Sequence, residues 1–334
     1  MLESMDLIRS ATIFTELVAG VKPGEEVLVL VDTKTTKLGE LLTTCARASG
    51  AEVVLAVYRG ESFHGEEPNK IIASAMKGAD VCLSTIHGLG HAVAVQQAEA
   101  AGMRALSFFR DTGGYERLGR FDLTFDDMDE IRKRNRKLVD MLKIGKNVRI
   151  TTPGGSDLTF NVEGRTPLDL GPFEGRRWVD VDRSLYPKLP NWLGYAETAI
   201  APVTGTAEGT YVVDGHMEGV GLVDEPIVWT VKRGRAVEIR GGKSAQILTG
   251  IIRAADENAN NLGEFGIGTN HKVKMQVEDN LDKCQYGTVH MALGHNKGAL
   301  KGEVFSNVHM DGISLNATII IDNKVIMKDG ELKI

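Results

Sequence analysis

Apolar and polar positions alternate with two different periods along this chain. Leu7 to Ala19 carries apolar residues at helical spacing and stops before Gly20 and Pro23, which predicts a helix. Val27 to Val31 is unbroken apolar sequence, the pattern of a strand covered on both faces. Leu38 to Ser49 then predicts a helix ended by Gly50, and Glu52 to Tyr58 another strand. The alternation continues with helices over Asn69 to Lys77 and His91 to Ala101, and strands over Val81 to Thr85 and Arg104 to Phe109. Strands and helices in that rhythm imply βαβ crossovers on a parallel sheet.

A long helix, about Asp126 to Leu142, closes this section, and the period changes near Ile144-Gly145. Short strands separated by Gly, Asp and Asn turns follow: Asn147 to Thr152, Leu158 to Val162, Gly209 to Val213, Ile227 to Lys232 and Ala236 to Arg240. One helix, Ser244 to Ala259, interrupts them. The expected architecture is an α/β, Rossmann-like N-terminal domain with a parallel sheet, residues 1–145. A mostly antiparallel, β-rich (α+β) C-terminal domain, residues 146–334, is expected to bind metal and catalyse.

Composition narrows the function classes. At 334 residues, with 42% hydrophobic and 25% charged residues, the chain has enough apolar sequence for a substantial core. A formal net charge of -6 argues against a nucleic-acid partner, since phosphate binding needs concentrated Lys and Arg. The basic cluster Arg132, Lys133, Arg134, Arg136, Lys137 follows Asp126, Asp127, Asp129 and Glu130, and reads as a solvated helix matched to its own dipole. Acidic residues at the start and the lack of an apolar run near ~20 residues give no signal peptide or membrane span. Cys45, Cys82 and Cys284 are too scattered for a disulfide framework, so a reduced, cytoplasmic protein is expected.

Half of the eight histidines fall between 271 and 309, which directs the search for chemistry to the C-terminal part. In Val308-His309-Met310-Asp311-Gly312, a strand would present His309 and Asp311 on one side. In Gly287-Thr288-Val289-His290-Met291-Ala292-Leu293-Gly294, Val289, Met291 and Leu293 would pack inward and leave His290 on the opposite face. Gly263-Glu264-Phe265-Gly266-Ile267-Gly268-Thr269-Asn270 sets a carboxylate in apolar, glycine-rich surroundings, where it needs a cation or strong donor. This run lacks the Gly-Lys-Ser/Thr ending of a phosphate loop. Taken singly, a His-x-Asp pair is often an ordinary hydrogen-bonded pair, and an acid among glycines is often a turn or cap residue. His87 and His91 flank the end of a strand where α/β folds bind ligands, and they are candidate substrate-pocket residues.

Together these segments resemble the aminopeptidase T family of metallopeptidases. The same order holds upstream, in Leu193-Gly194-Tyr195-Ala196-Glu197-Thr198-Ala199-Ile200-Ala201-Pro202 with Glu208-Gly209-Thr210 following. Val21-Lys22-Pro23-Gly24-Glu25-Glu26-Val27 and Pro153-Gly154-Gly155-Ser156-Asp157-Leu158-Thr159 are also similar to the family's run. The resemblance implies a two-metal site held by Glu197, Glu264, His290, His309 and Asp311. Two divalent ions (zinc, cobalt or manganese) would activate a water to release N-terminal residues from small peptides, with Glu197 or Glu264 as general base. The resemblance also implies a homodimer.

The chain departs from that pattern in two places. The tyrosine that follows the first family histidine is missing, and His295-Asn296-Lys297-Gly298 stands there instead. His295 or Lys297 would have to take its part, His295 as a catalytic group and Lys297 in the substrate pocket. The acid-rich segment before the Gly-Thr-Val-His motif reads Asn280-Leu281-Asp282-Lys283. A sibling branch, the dihydroxypyridine dioxygenases, is similar in His309-x-Asp311, in the short chain and in lacking the tyrosine. It implies a single iron(II) held by two histidines and a carboxylate, a small-molecule substrate, and His91 as a base. Glu264, where that branch has a histidine, and the retained His290 favour the dinuclear hydrolase at this stage.

Overall fold

The computed structural model describes residues 2–59, 66–86, 89, 92–107, 121–171, 189–190, 196–275 and 281–334. The described residues up to Met128, with the strand at Leu189–Pro190, form one compact unit, and those from Asp129 onward form a second.

In the first unit, strands β1 (Glu26–Val31), β2 (Glu52–Val57), β3 (Val81–Ser84) and β4 (Arg104–Ser107) make a parallel sheet in the order β2-β1-β3-β4. Helices α1 (Leu2–Ile13), α2 (Thr36–Ala48), α3 (Lys70–Gly78) and α4 (Val93–Ala100) alternate with them. The apolar run of β1 is buried from Val27 to Val31, as its unbroken hydrophobic sequence requires. Asn69 caps α3 by accepting from the backbone N–H groups of Ile71 and Ile72. A Cβ on Gly39 would come within 2.8 Å of Leu55 Cδ1, so glycine lets α2 lie close on the sheet. The predicted first helix divides: after α1 the chain widens into a π-helical turn, Phe14–Val18, where Ala19 N–H reaches Phe14 O at 2.8 Å. A short pairing of β5 (Phe121–Leu123) with β9 (Leu189–Pro190) completes this unit.

The long helix α5 (Phe125–Ile144) leads to the antiparallel strands. One sheet of eight strands runs β15-β14-β11-β7-β6-β19-β20-β21. These are β6 (Asn147–Thr151), β7 (Asp157–Asn161), β11 (Glu208–Val213), β14 (Ile227–Lys232), β15 (Arg235–Arg240), β19 (Thr318–Ile321), β20 (Lys324–Lys328) and β21 (Glu331–Leu332). A second sheet of seven runs β13-β12-β18-β17-β16-β10-β8. It is built from β8 (Leu168–Leu170), β10 (Glu197–Ile200), β12 (His216–Met217), β13 (Gly221–Leu222), β16 (Leu262–Gly268), β17 (Val289–Gly294) and β18 (His309–Ser314).

Both sheets turn one face to a shared core. Phe160, Tyr211 and Trp229 from the first meet Phe265, Ile267, Val289, Met291 and Leu293 from the second. Phe160 and Phe265 touch edge to face with centroids 5.2 Å apart. Each such buried side chain contributes roughly 1.5–3 kcal/mol relative to exposure, which fixes the register of every core-facing strand. The helix α6 (Lys243–Ala254) ends before the predicted Ala259. Asp256 there accepts from Asn258 N–H at 2.8 Å and turns the chain out of the helix. Among the described residues no helix is long and apolar enough to cross a membrane.

Candidate metal centre

Strand alternation decides which residues leave the shared core. In β17, Val289, Met291 and Leu293 face the core, so His290 faces away. In β18, Met310 packs into the core and a Cβ on Gly312 would meet Trp229, which turns His309 and Asp311 outward. In β10, Ile200 joins the core and Glu197 faces out. β16 needs a correction of phase, because Leu262 and Phe265 both pack into the core. The register shifts between Leu262 and Glu264, and this bulge brings the Glu264 carboxylate to the outer face.

Cross-strand register then assembles the five side chains. Glu264 pairs with Ala292, and Ala292 pairs with Asp311, so a small residue separates two carboxylates across three strands. Gly266 pairs with His290, and a Cβ there would fall inside van der Waals contact of the His290 ring. Glycine is what allows that imidazole to lie across β16. The predicted run Gly263–Asn270 is therefore mostly a buried strand rather than a loop.

All five side chains sit in the interior, and their polar atoms form a closed ring with a sixth. Glu264 Oε2 is 3.0 Å from His309 Nε2, and Glu264 Oε1 is 3.4 Å from His290 Nε2. Glu197 Oε2 lies 3.3 Å from His290 Nε2. Asp311 Oδ1 lies 3.6 Å from His309 Nε2. The Lys283 ammonium closes the ring, 2.7 Å from Asp311 Oδ2 and 3.3 Å from Glu197 Oε1. Lys283 is only 8% exposed, an unusual place for a lysine unless it is paired.

The electrostatics follow from this packing. Burial opposes charge on Glu264, but hydrogen bonds from His290 and His309 outweigh it and lower its pKa. Burial likewise opposes ionisation of Asp311, whose pKa Lys283 and the two imidazoles hold well below the ordinary value. Burial would keep His309 neutral, yet Asp311 and Glu264 raise its pKa well above the usual imidazole value. His290 is raised against its burial by Glu197 and Asp311. Protonated imidazoles thus balance the carboxylates when no ion does so. Glu218 stands behind them, accepting from the Asp311 backbone N–H at 3.2 Å, and burial and Asp311 push it up to about 7.

The donors divide into two overlapping groups, Glu197–Glu264–His290 and Glu264–His309–Asp311, each with ligand atoms within 4.8 Å of one another. Donors on a divalent ion at about 2.1 Å lie about 3.0–3.4 Å apart, close to the spacings here. Asp311 Oδ1 is buried with no hydrogen-bond partner among the described residues, 3.6 Å from His309 Nε2. Carboxylate and imidazole donors of this kind suit iron, manganese, cobalt or zinc. The residues present fit a divalent metal.

The remaining candidates lie elsewhere. His295 is outside both groups. Its Nδ1 accepts from Ser306 N–H at 3.4 Å, its ring meets Phe305 edge on, and burial followed by the neighbouring His309 charge lowers it to about 4. Lys297 is exposed, just before a short helical turn. His87 and His91 lie outside the described residues. Sequence reasoning noted Lys283 only as a departure and passed over Glu218 and Asn135. Asn135 of α5 donates to Glu197 O at 3.2 Å and to Asp169 at 2.8 Å, and accepts from Thr269 Oγ1 at 2.6 Å. It thereby fastens β10 and β16 at the site, but nothing in the helical pattern marks it.

Comparison with known proteins gives this geometry a context. The family model for 2,5-dihydroxypyridine 5,6-dioxygenase (NicX) matches residues 13–334. A solved 2,5-dihydroxypyridine dioxygenase from Pseudomonas putida KT2440 is similar with a TM-score of 0.77 and 17% identity, covering 98% of this chain and 96% of that one. Wild-type AmpT from Thermus thermophilus is similar with a TM-score of 0.68 and 18% identity, over 99% of this chain and 100% of that one. At such identities these two structures speak for the fold alone. A search of curated proteins finds no match. The family match backs the dioxygenase branch, the alternative in the sequence reading, better than the hydrolase that the ligand residues had favoured.

Proposed function

The chain belongs to the 2,5-dihydroxypyridine 5,6-dioxygenase family, and from that premise we propose that it is a metal-dependent, ring-cleaving dioxygenase acting on a hydroxylated pyridine. The family match over residues 13–334 carries this reading. The family's description places the broken bond between ring carbons 5 and 6, the first of which carries a hydroxyl. Insertion of both atoms of dioxygen there balances the reaction without any other oxidant.

Glu264, His309 and Asp311 would hold the ion. Iron(II) bound there would supply one-electron chemistry toward dioxygen and Lewis acidity toward a substrate hydroxyl. This set has two carboxylates and one imidazole, not the two imidazoles and one carboxylate of the usual iron(II) triad. His290 Nε2 and Glu197 Oε2, 3.3 Å apart, form a carboxylate–imidazole pair able to accept the proton of a substrate hydroxyl. Lys283 anchors the outer oxygens of Glu197 and Asp311. The sheet's apolar core behind the strands keeps water from that side of the donors.

A second reading, the two-metal aminopeptidase, draws on one observation: Glu197, Glu264 and His290 form a donor group of their own. Oxygen consumption separates the two. Protein loaded anaerobically with iron(II) is mixed with 2,5-dihydroxypyridine in an oxygen electrode, with zinc-, cobalt- and manganese-loaded protein assayed on leucine- and alanine-aminoacyl substrates beside it. Uptake matched to loss of the pyridine supports the dioxygenase. Hydrolysis of the aminoacyl substrates without uptake would replace it with the peptidase.

A further inference from the structure

We propose that Lys283 is a built-in cation that limits this centre to one divalent ion. The inference rests on the reading of the site as a metal centre, and it concerns how many ions that centre takes.

Three observations carry it. Lys283 does not approach the ring from outside but is one of its six members, with Nζ 2.7 Å from Asp311 Oδ2 and 3.3 Å from Glu197 Oε1. Those two carboxylates belong to different donor groups, so the ammonium links the groups where a second ion would otherwise share their charge. The segment is also held in place. Lys283 lies in the short helical turn Asp282–Cys284, and its carbonyl accepts from Thr288 Oγ1 at 3.2 Å. A Cβ on Gly268 would come within 2.6 Å of that same carbonyl, so glycine in β16 permits the close approach.

Charge then decides the number. Within the ring, with both imidazoles neutral as ligands must be, the carboxylates of Glu197, Glu264 and Asp311 against one ammonium leave a formal charge of two negatives, which a single divalent ion cancels. A second divalent ion would leave two uncompensated positive charges in the interior, and unpaired buried charge is strongly unfavourable. Removing the ammonium changes the balance. Glu197 Oε1 would be released, and Glu264, with Oε1 toward His290 and Oε2 toward His309, would offer one oxygen to each donor group. Lys283 thus acts through the ligands as a positioning residue.

The experiment counts manganese(II) ions per chain by mass spectrometry after equilibrium dialysis, and records their paramagnetic resonance spectrum. Wild-type protein is expected to bind about one ion with an isolated-ion spectrum, and Lys283→Ala about two with exchange coupling between them. Lys283→Arg, which keeps the charge, should stay at about one. Thermal melting checks that each variant is folded, and Lys283→Gln replaces the alanine variant if that one is not. Two ions on the wild type, or one on both folded neutral variants, would overturn the proposal. One ion on both neutral variants leaves the dioxygenase reading untouched, and two on the wild type would overturn this inference while oxygen uptake decides between dioxygenase and peptidase. No ion on any variant would overturn the metal reading and this inference together.

Discussion

His309 Nδ1 lies 2.7 Å from the backbone carbonyl of His295. A carbonyl oxygen can only accept, so Nδ1 carries a hydrogen in either protonation state, and an ion that displaced the second proton would meet a bare Nε2 turned toward Glu264 and Asp311. The tautomer that a metal needs is set by the backbone of the preceding loop.

That relationship separates two neighbouring histidines. His309→Ala should lose metal affinity by more than the roughly 10–100-fold typical of losing a ligand's hydrogen-bond partner. His295→Ala keeps the carbonyl and should leave metal content unchanged, at a stability cost of about 0.5–3 kcal/mol from the lost packing against Phe305. Calorimetric metal titration and thermal melting of both variants check this. Equal loss of metal in the two would give the His295 ring a direct part.

Gly266 offers a test of His290 that leaves its ring chemistry intact. Because a Cβ at this position would overlap the imidazole, Gly266→Ala should displace the His290 ring from Glu197 and Glu264. Overpacking of this kind costs about 1–3 kcal/mol. Under the single-ion reading, the ion held by Glu264, His309 and Asp311 stays bound while turnover falls. Under the two-metal reading, an ion is lost. Melting temperature, ion count and turnover on one preparation distinguish these outcomes.

Away from the site, Asp224 ties down the start of α6. It accepts from Lys243 N–H and Ser244 N–H, each at 2.9 Å, and its pKa is held below the ordinary value by the Ser244 side chain first and then by these backbone bonds. A carboxylate with a depressed folded pKa stabilises the fold above its unfolded value, and that contribution is lost as pH falls through the folded one. The stability gap between wild type and Asp224→Asn should therefore be widest near neutrality and shrink below pH 3.8. Denaturant unfolding across the acid range measures it, and a gap independent of pH would remove the assigned role.

Much of this arrangement is legible in the residues themselves. The apolar run of β1 and the caps around α3 declare the parallel sheet, because local periodicity and burial agree there. His309-x-Asp311 and the alternation around His290 place three donors on one face, since a strand's period of two needs no tertiary knowledge. Glu264 is harder. Its orientation depends on a bulge, and a one-residue irregularity reverses every inference drawn from alternation. Lys283 is invisible for a different reason. It comes from a short helical turn outside the strands, and the close approach over Gly268 brings that turn against β16.

The source of the oxygen atoms in the product tests the central claim most directly. Iron(II)-loaded protein is supplied with isotope-labelled dioxygen in ordinary water, and the product of 2,5-dihydroxypyridine is weighed by mass spectrometry. A ring-cleaving dioxygenase is expected to place both labelled atoms in the opened ring. Product that takes its oxygen from water, or pyridine left intact while aminoacyl bonds are hydrolysed, would contradict the assignment.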